Sequence, residues 1–343
     1  MQRFCVGSAP QSIRSILAVD RTFNLASLFV TVTVFKHRAV LRRCTNDFPV
    51  FLGPMLLHGD GNYTTYRQFL SHVHDALAND VSSTELRVEG SVLTGSDEEQ
   101  AMVKALKYAF PHSQHMYCMI HCTDNLRHYM TKIGVALNHR EKILAMIFGV
   151  NGATLAGDEA QLENKLAETM QYVRMSNLDE ELQQYMQHKV FPKITNNLHI
   201  MWTEKWLGQN AWNNNNSESI NHVLKMAVDW KPKRITDLVS HLHDVVHAQY
   251  ADLQRALHGQ GEFQLTSQFQ SHAVTNTKWS SMSEKRQADI FNAFMKHNGI
   301  RSKSNTVQSS DGLLTVQGNS RIARKPGQSK RSKACRSQPK MHD

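Results

Sequence analysis

Residues 15–57 read SILAVDRTFNLASLFVTVTVFKHRAVLRRCTNDFPVFLGPMLL, and three apolar or β-branched runs stand out in them: 15–19, 27–35 and 50–57. Each is short, each is bounded by polar or turn-forming residues, and the middle one alternates Val and Thr with the period of two that a strand requires. Three such runs in succession predict a β-meander. Beyond it the period changes. After the turn cluster HGDGN (58–62), Tyr63, Tyr66, Phe69, Leu70, Val73 and Leu77 fall at helical spacing, so the chain crosses back as a helix. ELRVEGSVL (85–93) predicts a fourth strand. DEEQAMVKALKYAF (97–110) predicts a second helix with its acids in the first turn, where the helix dipole favours them, and Pro111 to end it. SQHMYCMI (113–120) predicts a fifth strand.

From about 122 to 209 strand patterns stop, and REKILAMIFG, AQLENKLAETMQYVRM and LDEELQQYMQHKVF predict an all-helical block. Helices resume in SESINHVLKMAV (217–228) and RITDLVSHLHDVVHAQYADLQRAL (234–257). The order β-β-β-α-β-α-β, helical block, helix describes an α/β chain whose one mixed sheet is covered by helices. The expected organisation is a lead at 1–14, a core at 15–257 with its helical insertion at about 122–209, a helical or irregular extension at 258–300, and a tail at 301–343.

Composition excludes several classes. The chain has 343 residues, 41% hydrophobic and 20% charged, which is globular. The most apolar run, LASLFVTVTVF (25–35), is strand-length and far from the roughly 18 residues that suggest a bilayer span. The N-terminus has no apolar signal-peptide core, and five cysteines in a chain this long do not make a disulfide framework, so an intracellular, reducing location is expected. The net charge of +9 is unevenly spread: residues 301–343 carry ten Lys/Arg and two Asp/Glu, leaving +1 for residues 1–300. That tail is rich in Ser, Gln, Gly and Lys and poor in aromatics, which predicts disorder. Its cluster RIARKPGQSKRSKACRSQPK suits a nuclear-import signal, a non-specific phosphate contact, or a merely solvated tail.

Three acids sit at element edges. Asp20 ends the first strand, Asp97 follows the fourth, and Glu218 opens the late helix after a run of asparagines in WNNNNSESINHVLK (212–225). Any one acid in such a place serves equally well as a turn or cap residue. If strands one and four are neighbours, however, Asp20 and Asp97 meet at one sheet edge, and a third carboxylate from a helix completes an all-oxygen site suited to Mg²⁺ or Mn²⁺ rather than Zn²⁺. Asn216 or Ser217 is the expected N-cap of that helix, with Glu218 in its first turn.

This constellation resembles the catalytic centre of ribonuclease-H-like polynucleotidyl transferases. AVDRTFNL, FPVFLGPMLLHGDGNYTTY, GSDEEQAMVKALKYAFP, YCMIHCTDN and NNNNSESINHVLK, in that order between about Ser15 and Lys225, resemble the transposase domain of Mutator-like elements (MULE). The resemblance implies a ribonuclease-H-like fold with a helical insertion before the glutamate. It makes Asp20, Asp97 and Glu218 a DDE triad separated by 77 and 121 residues, and matches a C-x-x-H with Cys118 and His121. It further implies a nuclear enzyme of DNA transposition, acting on transposon ends and target DNA, with homo-oligomers possible. Two Mg²⁺ or Mn²⁺ ions about 3.5–4 Å apart serve in-line displacement at a phosphodiester by activating the nucleophile and stabilising the leaving 3′-oxygen.

Other patterns compete with duller readings. Cys118 and His121, with Cys122 or His115, are candidates for Zn²⁺, but a single C-x-x-H is half of a four-ligand site; alternatively Cys118 lies in the core and His121 orients phosphate or a carboxylate. HDVVH (243–247) imitates a zinc-protease motif, yet reads better as two surface histidines on a helix. Asp47 and Asp60 read as turn residues. Trp202, Trp206 and Trp212 suit either core packing or stacking on unpaired bases. Families of this kind often read DNA ends through a separate zinc-binding module, and neither the short stretch before the first strand nor the last 43 residues contains one. The sequence is therefore expected to be a transposase core without its recognition module, or else a domesticated, non-catalytic DNA-binding or scaffold protein on the same fold.

Overall fold

The computed structural model describes residues 1–5, 14–22, 24–79, 92–201, 204, 215–297, 306–308 and 314–316; for 2–3, 215–218, 306–308 and 314–316 it describes the backbone. The chain divides into Met1–Gly299 and Ile300–Asp343. In the second unit the described residues are two short antiparallel strands, Thr306–Gln308 and Leu314–Val316, and the rest of the basic tail lies outside the described residues.

The first unit is built on a five-stranded mixed sheet. Its strands are β1 (Leu17–Thr22), β2 (Phe29–Lys36), β4 (Val50–His58), β5 (Leu93–Ser96) and β6 (Gln114–Tyr117), in the spatial order β4-β2-β1-β5-β6; the short β3 (Val40–Arg42) lies outside it. β2 runs antiparallel to both β1 and β4, while β5 and β6 run parallel to β1. The meander expected from residues 15–57 is thus present as one half of the sheet. The parallel half needs crossovers, and helices supply them: after the short N-terminal α1 (Gln2–Cys5), α2 (Tyr63–Asn79) leads from β4 toward β5, and α3 (Gln100–Ala109) joins β5 to β6.

The alternation along β1 assigns its faces. Leu17 and Val19 join one core with Tyr66, Leu70, Met102 and Leu106 of α2 and α3. Ile16 and Ala18 belong to the opposite core, with Val30, Val32 and Val34 of β2 and with Ile220, Leu224 and Val228. The last three come from α9 (Asn215–Ala227) and the residue just past it. With a period of two, Asp20 falls on the α9 side.

The helical block expected at 122–209 contains α4 (Met119–Lys132), α5 (Leu137–Phe148), α6 (Glu159–Met175), α7 (Glu180–Tyr185) and α8 (Phe191–Lys193), the last flanked by the π-helical turns Met186–Val190 and Ile194–Leu198. It packs around its own core, which includes Leu126, Met130, Ile143, Val173 and Met186. The second π turn covers the β6 edge: Gln114 Nε2 donates to the Asn196 carbonyl at 2.6 Å and Asn197 Nδ2 to the His115 carbonyl at 2.8 Å. Such cover removes an edge that would otherwise template foreign strands. After α9 come α10 (Ile235–Leu257), β7 (Phe263–Leu265), α11 (Asn276–Ser280) and α12 (Glu284–Lys296), with β7 paired to β3. Among the described residues no helix is long and apolar enough to cross a membrane.

Four expectations shift. The first strand runs on to Thr22, so Asp20 lies inside it, two residues before its end. The strand foreseen at 85–93 is β5 at Leu93–Ser96, and 80–91 lie outside the described residues. The second helix begins at Gln100 with no acid in its first turn. Asp97, Glu98 and Glu99 instead form the strand-to-helix turn, in which Asp97 Oδ1 accepts the Glu99 N–H at 3.1 Å. The late helix begins at Asn215, so Asn216 and Ser217 lie inside it rather than at its cap, and Glu218 occupies the fourth helical position.

Candidate functional site

β1 and β5 pair in parallel with Leu17 opposite Thr94 and Ala18 opposite Gly95. Extending that register by two residues sets Asp97 opposite Asp20. Thus two acids separated by 77 residues in sequence meet toward the carboxyl ends of neighbouring parallel strands, Asp20 two residues before the end of β1 and Asp97 just past β5, the side on which open α/β sheets place their ligands. Asp20 is 7% exposed, and Asp97 is half-buried in the turn before α3.

Burial and then the charge on Asp97 push the Asp20 carboxyl up to about 6. They do so against stabilising contacts: the Arg21 N–H donates to Oδ1 at 3.0 Å, Asn221 Nδ2 donates to Oδ2 at 2.8 Å, and His121 attracts its charge. Two acids facing each other in a partly desolvated pocket are costly to ionise together unless positive charge is brought in.

Asn221 was not foreseen. It lies one turn after Glu218 on α9, so the two positions share a face of that helix by the i, i+3 rule. α9 is held in place by Ile220, Leu224 and Val228, each nearly fully buried; three such side chains contribute roughly 5–8 kcal/mol gross. The contact from Asn221 to Asp20 therefore fixes which face of α9 looks toward the strand ends. The Glu218 side chain lies outside the described residues; its backbone is placed in the opening turn of that helix.

The C-x-x-H pair lies at the β6-to-α4 junction. Cys118 is fully buried at the N-cap position of α4, with its N–H donating to the Ser96 carbonyl at 3.0 Å, and His121 is in the first turn. A hydrogen bond with Cys118 pushes His121 up to about 9; burial opposes this, and charge on Cys118, Asp20 and Asp97 adds to it. His121 thus faces both acids. Its Nδ1 and the Oδ1 of Asn221 are buried without a hydrogen-bond partner.

The other residues weighed for zinc are engaged elsewhere. Cys122 donates to Glu98 Oε1 at 3.4 Å, and His115 contacts the Thr94 and Ser96 hydroxyls at 3.1 and 3.3 Å. Among the described residues no group of three His, Cys, Asp or Glu side chains is arranged around one point. His243 and His247 are stacked on the exposed side of α10, as expected of surface histidines. Asp60 Oδ1 accepts from the Asn62 N–H and the Thr65 hydroxyl, as expected of a turn residue, and the Asp47 carbonyl closes the turn after β3 by accepting from Arg42. Trp202, Trp206 and Trp212 lie outside the described residues.

Glu98 and Glu99, adjacent in the turn, tie it to two different parts of the fold. Glu98 accepts from Lys193 of α8 and, at 2.5 Å, from Asn125 of α4; Glu99 pairs with Arg21 at 3.1 Å and accepts from the Tyr66 hydroxyl at 3.1 Å. Neither acid is left over for the Asp20–Asp97 pair. Compared with known proteins, the chain matches no family model and no curated protein.

Proposed function

We propose that this protein is a metal-dependent polynucleotidyl transferase of the DDE type on a ribonuclease-H-like fold, the transposase core that its sequence motifs resemble. The observation that carries the reading is the register of β1 on β5, which sets Asp20 and Asp97 side by side at two strand ends beneath the helix that bears Glu218. The strand order β4-β2-β1-β5-β6, with β2 alone antiparallel to its neighbours on both sides, supports the ribonuclease-H-like assignment.

The residues present fit a divalent cation. Asp20 and Asp97 would hold it, with Glu218 the third carboxylate, and the donors are hard oxygens suited to Mg²⁺ or Mn²⁺. When bound, such ions activate the attacking water or 3′-hydroxyl and stabilise the leaving 3′-oxygen. The protein's own contributions are separable from that. Asn221 orients Asp20 by donating to its Oδ2, while Asn221 Oδ1 is buried without a hydrogen-bond partner. His121, raised above its ordinary range by a hydrogen bond with Cys118 and by the neighbouring acids, is suited to donate to a phosphate oxygen and to balance the acids' charge. The substrate class is DNA, and the basic tail is the element suited to nuclear import and to sequence-independent phosphate contact.

The test is strand cleavage of DNA bearing candidate terminal inverted repeats, with Mg²⁺ or Mn²⁺. Asp97→Asn is expected to lower cleavage by more than about 100-fold, the upper range for losing a group that only orients a metal ligand, with DNA binding retained. Undiminished cleavage by Asp97→Asn refutes the assignment.

A further inference from the structure

The turn between α9 and α10, Asp229–Arg234, reads DWKPKR and is the most unusual exposed segment near the acid pair. Asp229 and Trp230 are consecutive non-glycine residues in the left-handed region, at φ 53° and 58°. L-residues visit that region at a cost, and strain of this kind collects at functional positions. The Trp230 ring is not hidden to repay the cost: it is 59% exposed. It is held from beneath by His222, edge-on at 5.4 Å, and by Lys225, whose Nζ lies 5.9 Å from the ring centroid. The turn is closed by the Trp230 N–H donating to the Lys225 carbonyl at 2.8 Å.

Charge and position single out one kind of partner. Lys225 lies at the ring, Lys231, Lys233 and Arg234 follow it in the same turn, and Asp229, the one acid in the segment, is paired with Lys233 at 3.3 Å. The Lys233 N–H donates to the Leu25 carbonyl at 2.9 Å, which ties the segment beside the strand end that carries Asp20. Along α9, positions 218, 221 and 225 follow one line, so the lysine lies seven residues, about 10 Å, from Glu218.

We propose that Trp230, with Lys225 and the Lys231–Arg234 cations, is a stacking platform for an unpaired base of a DNA strand whose backbone passes the acid pair. This rests on the polynucleotidyl-transferase reading and deepens it: the substrate engaged at this surface is single-stranded or frayed DNA. An aromatic face accepts any base, and the surrounding cations track phosphates, so the surface binds without sequence preference.

The experiment is fluorescence anisotropy with a short labelled DNA single strand and the blunt duplex of the same sequence, on the full chain. Trp230→Ala is expected to weaken single-strand binding roughly 5- to 150-fold, the range for losing one stacked base, with little change for the duplex, and Trp230→Phe to restore most of it. Lys225→Ala is expected to reduce the slope of log K against log salt by about 0.7. Trp230→Gly keeps or raises the melting temperature because it relieves the left-handed strain, yet loses single-strand binding. Equal single-strand affinity of Trp230→Ala and wild type overturns the proposal, as does a change in oligomeric state by light scattering in its place, which assigns the surface to a second copy. Wild-type protein that binds neither DNA refutes the polynucleotidyl-transferase reading itself, a result distinct from the first.

Discussion

Breaking the ion pair between Lys193 and Glu98 should undock the helical block from the strand-to-helix turn that presents Asp97. The two side chains are 27% and 13% exposed, and Glu98 is further held by Asn125 and Cys122 of α4. Removing one partner of a buried pair costs about 3–5 kcal/mol. Because the lysine is about one-quarter exposed and two bonds to Glu98 survive, Lys193→Met should cost less, about 2–3 kcal/mol. The double variant Lys193→Met/Glu98→Gln leaves no unpaired charge, so the two single losses should exceed the double loss by about 1–2 kcal/mol. Chemical denaturation of the four proteins measures this, and amide exchange should show protection falling together in α4 and at the end of β5. The effect has a pH window. Burial raises the Glu98 pKa, but bonds from Lys193, Asn125 and Cys122 outweigh it and hold the carboxyl below its ordinary 4.5. Its contribution is therefore present above about 4.5 and lost as pH falls through the lower folded value. Burial pulls Lys193 down, but Glu98 outweighs it and raises the amine above its ordinary 10.5; that contribution is present below 10.5 and lost as pH rises through the folded value. The coupling should be flat between these limits. Strictly additive losses at pH 7, or exchange protection lost in α7 and α8 alone, would falsify the docking role.

Two further outcomes follow from the same geometry. Burial, and after it the charge of Lys107, pulls His115 down to about 3 from an ordinary 6.5, so this imidazole stays neutral in the fold while the unfolded chain takes up a proton. Its contribution to stability is complete above about 6.5 and declines toward pH 3, by up to about 1.4 kcal/mol per pH unit. Denaturant titrations at pH 7, 6 and 5 should show a steeper decline for wild type than for His115→Gln, and equal slopes would show that His115 is not the source. A Cβ on Gly61 would collide with an Arg21 guanidinium nitrogen and stand 3.2 Å from Glu99 Oε1. Gly61→Ala should therefore displace Arg21 from Glu99 at a cost of about 1 kcal/mol, a modest figure because Arg21 is flexible and partly exposed; an unchanged melting temperature would refute the displacement.

The parts of the fold that sequence anticipated are those in which burial leaves a period. β2 alternates Val and Thr because its partners β1 and β4 fix its two faces, and α2 repeats apolar residues at helical spacing because one face packs on Leu17 and Val19. β5 was misplaced for the opposite reason. Its four residues, Leu-Thr-Gly-Ser, are too few to establish a period and are all buried, the polar Thr94 and Ser96 included. The Thr94 and Ser96 hydroxyls are affordable there only because His115 on β6 meets both, a partner 19 or 21 residues distant that no local pattern announces. The pairing of β3 with β7 was invisible in the same way, since Val40 meets Leu265 across most of the chain.

The candidate site divides along the same line. Asp20 and Asp97 could be singled out because each lies at or near the end of an apolar run, and the parallel register then brings them together. What could not be read was the apparatus around them. In the triplet Asp97–Glu98–Glu99 the three acids look interchangeable, and only the fold gives them different tasks: the first faces Asp20, the second reaches the helical block and the third reaches β1 and α2. Asn221 was nearer to being legible. It stands three residues after Glu218, so any argument that aims that helix at the strand ends aims the 221 position there as well. A carboxamide at that position can donate to Asp20 without adding negative charge. A fourth acid there would push the Asp20 carboxyl still higher, and a lysine would compete with a cation for the pair. An amide is the side chain that orients the acid while leaving its charge for a ligand, which is why Asn221 belongs with the acid pair and not with the structural contacts of α9.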